Sequence, residues 1–172
     1  MKLDSDDFEL FALERRYALD RAVLDEQRRI LQTQTHPDKF AAQGVAAQRV
    51  ALQWAVRVNE AYERLKDPLR RAAYLCELQG QRIDAETNTA MPAAFLNQQM
   101  ELREALDAAR CADEIQSLAT NLAAQRDATL QRLENLLDVQ RDAAAAAREV
   151  RALMFLERFG ADIDGRLEAL GQ

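Results

Sequence analysis

The tripeptide His36-Pro37-Asp38 holds the only histidine of this 172-residue chain, beside a carboxylate. Histidine and aspartate could serve acid–base catalysis, but a general base needs a nucleophile within hydrogen-bond reach. No serine or cysteine nucleophile motif stands near His36. Cys76 and Cys111 lie far apart and outside any CxxC pair. A closed zinc or iron–sulfur site takes about four such ligands. The chain is therefore expected to hold no metal and no other cofactor, with both cysteines as small apolar fillers, and not to be an enzyme. The remaining chemistry is recognition. Pro37 limits backbone freedom, so His36 and Asp38 lose less entropy on binding. Asp38 offers a carboxylate to a partner arginine, best in a bidentate pair.

The elements that must present this tripeptide can be read on both sides of it. Asp20 is a good N-cap for a helix over Arg21 to Gln34. Val23, Leu24, Ile30 and Leu31 fall on one side of that helix, and Arg21, Asp25, Arg28, Arg29 and Gln32 on the other. The helix has to stop before Pro37, which disfavours helical geometry at His36 and lacks a backbone donor. Thr35 to Gly44 reads as a loop. A second helix follows from Val45 to Lys66, with Val50, Trp54, Val58, Ala61 and Leu65 at helical spacing. Asp67-Pro68 then caps and starts a third helix, ending near Gly80.

Composition agrees with an all-α chain. Hydrophobic residues make up 48%, charged residues 30%, and there are only 5 glycines and 3 prolines. Ala, Leu, Gln, Arg and Glu are good helix formers. A net charge of -6 argues against nucleic acid as a partner and against anionic membranes. No apolar run approaches the roughly 20 residues that span a bilayer. The acidic start has no apolar segment of a signal peptide, so a cytoplasmic location is expected.

From Gln81 to Pro92 no apolar period is visible, and Thr87, Asn88, Thr89 and Pro92 mark a linker. Three further helices are expected near Ala93 to Arg110, Ala112 to Leu137 and Val139 to Leu170, packed as an antiparallel bundle. In the first of them Phe95, Leu102, Leu106 and Ala109 form a core stripe. Leu96, Asn97, Met100 and Glu104 lie almost opposite, with Glu101 at the flank. In the last helix Val150, Leu153, Leu156, Ile163 and Leu167 face inward and Phe155 points away. Large apolar residues on an outward face fit a partner surface or packing against a neighbouring element.

Two resemblances stand on these residues. The helix–loop–helix hairpin around His36-Pro37-Asp38, continued by Asn59-Glu60-Ala61-Tyr62-Glu63-Arg64-Leu65 and Lys66-Asp67-Pro68-Leu69-Arg70-Arg71, resembles the J domain. With a second half like its three-helix bundle, essentially the whole chain resembles the HscB family of bacterial type, and three stretches carry this: Phe8 to Leu13, Arg71 to Leu75, and above all Ala94-Phe95-Leu96 with Met100 to Asp107. The resemblance implies a J domain over residues 1–80, a linker over 81–90 and a three-helix client-binding domain over 91–172. It implies a co-chaperone of iron–sulfur cluster assembly. His36, Pro37, Asp38, Arg21, Arg28, Arg29 and Lys39 would bind a DnaK-type (HscA-like) ATPase. Leu96, Asn97, Met100, Glu101, Glu104 and Phe155 would bind an iron–sulfur scaffold protein (IscU-like). Asn97 replaces an apolar residue and Ala108 an acid common in the family, which bears on the strength of client binding. The cysteine-rich amino-terminal module of some eukaryotic members has no counterpart. The rival readings are a J protein with another client, a helical adaptor without a chaperone, and a helical hydrolase, for which the expected cluster of His and Asp ligands is missing.

Overall fold

The structure, a computed structural model, describes residues 5–83 and 93–170, and every regular element among them is helical. The chain divides into two compact units, Met1–Leu75 and Cys76–Gln172. The linker expected over 81–90 lies, beyond residue 83, outside the described residues.

The first unit is a hairpin of two helices. Helix α2 spans Arg21–Thr35, and the Asp20 side chain caps it by accepting from the Ala22 N–H at 2.8 Å. Its inner face is Leu24 and Leu31, while Val23 is 43% exposed. Helix α3 spans Val45–Lys66 and buries Ala51, Val58, Ala61, Tyr62 and Leu65. Val50, expected inside, is 50% exposed. Apolar period locates a helical face but not the width of the neighbour that covers it. The expected loop between the helices is also more ordered than foreseen. Pro37–Gln43 forms a 3-10 helix, capped by the His36 side chain, and Gly44 at φ 93° turns the chain into α3. A short ordered helix of this kind commonly bridges two longer ones.

A short helix α1, Asp7–Leu10, places Phe8 at full burial, with Phe11 just beyond its end equally buried. The sequence pattern carried no sign of how α1 is held. Asp7, fully buried, meets the Arg57 guanidinium at 2.6 Å and the Arg64 guanidinium at 2.9 Å, and its backbone N–H donates to the Tyr74 hydroxyl at 3.0 Å. Phe8 stacks on the Tyr74 ring at 6.0 Å. Helix α4, Pro68–Leu78, starts on Asp67, which accepts from the Arg70 N–H at 2.8 Å. It ends in a Schellman turn, with Gln81 N–H donating to Cys76 C=O, Gly80 N–H to Glu77 C=O, and Gly80 at φ 79°.

The second unit carries the bundle. Helix α5 is Ala93–Ala108, shorter than expected, and α6 is Ala112–Glu134. The break before the last helix falls later than the sequence indicates. Asn135–Gln140 forms a π-helical turn, Arg141 takes a left-handed conformation at φ 56°, and α7 begins only at Ala143 and runs to Leu170. Asp142 accepts from the Ala145 N–H at 2.9 Å, capping α7. Leu102, Ala109, Ile115, Leu122, Leu156, Phe159 and Ile163 make one core cluster. The alanine run at the start of α7 buries Ala143, Ala146 and Ala147, small side chains that let helices approach closely.

Candidate functional site

The hairpin places His36 and Asp38 at its exposed turn, with side chains 58% and 90% accessible. His36 closes α2 in an extended conformation, and its Nδ1 accepts from the Asp38 N–H at 3.3 Å. That bond needs the Nδ1 lone pair, so the neutral ring carries its proton on Nε2. The Asp38 carboxylate lies 3.6 Å from Nδ1 and is otherwise open to a partner. The tripeptide is thus ordered by its own backbone while its acceptor oxygens stay free. Lys39 is exposed and Pro37 half-buried beside them.

The arginine face of α2 is less purely basic than its arginines imply. The Arg21 Nε donates to Asp25 at 2.8 Å, and both arms of Arg29 reach Glu26, at 2.9 and 2.6 Å. Asp25 holds the Arg21 guanidinium above its ordinary value. The Tyr62 hydroxyl first, then Arg21, holds the Asp25 carboxyl below its own. Arg28 is the exception, with no carboxylate in ion-pair contact among the described residues, though its charge also favours the Asp25 carboxylate. It lies over the Tyr62 ring at 4.0 Å and reaches the Asn59 amide oxygen at 3.4 Å. Gln32 donates to the same oxygen at 3.2 Å. Asn59 and Tyr62 thus buttress the α2 face from α3. Sequence reading did not assign them a role, although both stand in the segment that carried the J-domain resemblance.

On α5, Leu96 is 46% and Met100 60% exposed, while Leu102 on the opposite face is buried. Asn97, Glu101 and Glu104 are exposed with them. These five residues share one outward face of a single helix. Phe155 does not join them as a solvent-pointing residue. It is half-buried on α7, stacks on Phe159 at 5.8 Å and takes the edge of Phe95 at 5.7 Å. The outward direction read from the α7 period is corrected by this aromatic triad, because α5 reaches over that side of α7.

The cysteines differ. Cys76 is fully buried, and burial pushes its thiol up to about 11, which leaves it unreactive as a nucleophile. Cys111 is exposed just before α6, contrary to the filler role expected for it. Among the described residues no group of three or more His, Cys, Asp or Glu is placed to hold a metal, and no helix is long and apolar enough to cross a membrane.

Comparison with known proteins adds an independent line. A family model described as the HSCB C-terminal oligomerisation domain matches residues 91–164. The chain is 49% identical to the co-chaperone protein HscB homolog of Burkholderia multivorans, across 99% of this chain and 98% of that one. It is 48% identical to the homolog of Burkholderia vietnamiensis over the same shares. Among solved structures it superposes on chaperone HscB from Vibrio cholerae with a TM-score of 0.82 and 37% identity, covering 96% of this chain and 99% of that one. Human co-chaperone protein HscB matches with a TM-score of 0.91 over 100% of this chain and 86% of that one, and at 24% identity this is a likeness of fold.

Proposed function

Because this chain belongs to the HscB co-chaperone family, we propose that its two units dock two different proteins and so couple a scaffold of iron–sulfur cluster assembly to a chaperone ATPase. The first partner is an ATPase chaperone of the DnaK (HscA-like) kind. His36, Pro37 and Asp38 engage it, with Arg21, Arg28, Arg29 and Lys39 supplying the positive edge. Hydrolysis takes place in the partner, whose conformational equilibrium this chain shifts by differential binding. The second partner is the iron–sulfur scaffold protein (IscU-like). Leu96 and Met100 give it apolar anchors and Asn97, Glu101 and Glu104 polar contacts. Phe155 belongs to this site chiefly as the support beneath Phe95. In this reading the J domain covers residues 1–80, a linker 81–90 and the client-binding domain 91–172, and the protein works in the cytoplasm.

The observation that carries the first contact is the exposed, self-capped His36-Pro37-Asp38 turn. Its carboxylate is left without an arginine or lysine of its own within ion-pair distance among the described residues. Single-turnover ATP hydrolysis by the DnaK-type chaperone, titrated with this protein, tests it. The wild type is expected to accelerate hydrolysis, and Asp38→Asn, folded by circular dichroism, to remove at least nine-tenths of that acceleration, because truncating one partner of a charged interface pair costs about 2–5 kcal/mol. Equal acceleration by the two proteins would refute it.

A further inference from the structure

One side chain of α3 holds two of the three arginines on the face of α2. Tyr62 is buried by its own fold, at 4% accessibility, yet it meets two arginines of the proposed docking face, Arg21 and Arg28. Its hydroxyl donates to the Asp25 carboxylate at 2.7 Å and accepts from the Arg21 Nη2 at 2.7 Å. Its ring carries the Arg28 guanidinium at 4.0 Å, the Arg21 guanidinium at 5.4 Å and the Lys66 ammonium at 5.7 Å. Arg21 and Arg28 are seven residues apart, two turns along one face of α2, and a single phenol spans both.

The arrangement is costly for Arg28. Its Nε is buried without a hydrogen-bond partner, and such an orphan donor is destabilising. The ring face compensates in part, because a guanidinium over an aromatic face is attracted by the ring quadrupole. A stacked guanidinium also spends its face and not its edge, so most of its in-plane donors stay available to a partner. Arginine loses about 2 kcal/mol of rotamer freedom when fixed. A side chain already fixed in the free protein does not meet that cost at the moment of docking.

From this geometry we infer that Tyr62 is a positioning residue for chaperone docking, holding Arg21 through its hydroxyl and Arg28 through its ring in the orientation the ATPase receives. The inference rests on the proposed function and deepens its first contact. Tyr62 touches no partner itself and acts only through the two arginines.

The test is the same full-length ATPase titration, read as the half-saturating concentration of co-chaperone. Tyr62→Leu is expected to raise it roughly three- to fivefold, the order of one exposed to partly desolvated cation–π contact, with the maximal rate kept. Tyr62→Phe keeps the ring and is expected to raise it less. The deciding measurement is the same substitution in the Arg21→Gln/Arg28→Gln background, where it should add nothing, since groups acting through one another are non-additive. If Tyr62→Leu proves unfolded by circular dichroism, Tyr62→Phe in the Arg21→Gln background carries the same comparison. A Tyr62 penalty of unchanged size in the arginine-free background would make the residue merely structural and overturn the inference alone. Absence of wild-type acceleration would overturn the proposed function and this inference together.

Discussion

Both units of the molecule have an apolar core, but they differ in what is added to it. In the hairpin unit, charge and hydrogen bonds also cross-link the helices. Asp7 ties α1 to Arg57 and Arg64, Tyr62 ties α3 to Arg21 and Asp25, and Asn59 takes donors from Arg28 and Gln32. In the bundle apolar contact dominates, with Arg132–Glu149 at 2.9 Å as a tie between α6 and α7. Phe95, Phe155 and Phe159 interlock, Ile115, Leu122 and Ile163 fill the centre, and polar ties such as Gln98 to Gln125 lie on its exposed rim. The candidate docking faces follow the same contrast. The polar hairpin offers arginines and a free carboxylate, whereas the apolar bundle leaves Leu96 and Met100 in solvent. A polar frame can aim charged groups, which need direction. Aliphatic anchors such as Leu96 and Met100 need only area.

The largest stability effect is expected in the bundle. Phe159→Ala removes a ring that is 1% exposed and should cost about 3–5 kcal/mol in urea unfolding. A cost near 1 kcal/mol would mean the aromatic triad is not what joins the helices. Next comes the polar frame. Asp7→Ala leaves two arginines unpaired, and because Arg57 and Arg64 side chains retain 22% and 43% exposure the cost should be about 2–3 kcal/mol, below that of a fully buried pair. Should added salt erase the difference between wild type and Asp7→Ala, the pair would be behaving as a surface bridge and the contrast between the units would weaken. Third is Phe155→Ala. Its half-burial against Phe159 places the loss at about 1–2 kcal/mol, between a core and a surface truncation. The smallest is Leu96→Ala, which should shift the melting midpoint by no more than about 0.5 kcal/mol corresponds to, while lowering scaffold affinity measured by calorimetry. A Leu96 cost matching Phe155 would show the outward face of α5 to be covered.

Much of this was legible in the residues, for identifiable reasons. Asp20 and Asp67 were read as caps, and each accepts the N–H that a cap should. Pro37 ended α2 as its chemistry requires. The stripe Val58, Ala61, Leu65 and the outward Leu96 and Met100 followed from helical period. The failures are equally specific. Val23 and Val50 share the apolar phase but stand where no neighbour is wide enough to cover them. Phe155 has an outward phase on α7, yet α5 arrives on that side, and period along one helix cannot encode the place of another. Asp7 reads as one more acid in an acidic start, and its burial depends on arginines fifty and more residues away. The π-helical turn at Asn135–Gln140 mixes the good helix formers Leu136, Leu137 and Gln140 with the weaker Asn135, Asp138 and Val139, and no glycine or proline marks the break.

The central claim is that the polar face and the apolar face belong to one adaptor. The most direct measurement is single-turnover ATP hydrolysis by the DnaK-type chaperone at a subsaturating amount of wild-type protein, with and without the iron–sulfur scaffold protein. The account predicts that this protein accelerates hydrolysis alone and that scaffold raises the acceleration further. Acceleration that scaffold leaves unchanged would contradict it, separating the α5 face from the work of the His36-Pro37-Asp38 turn.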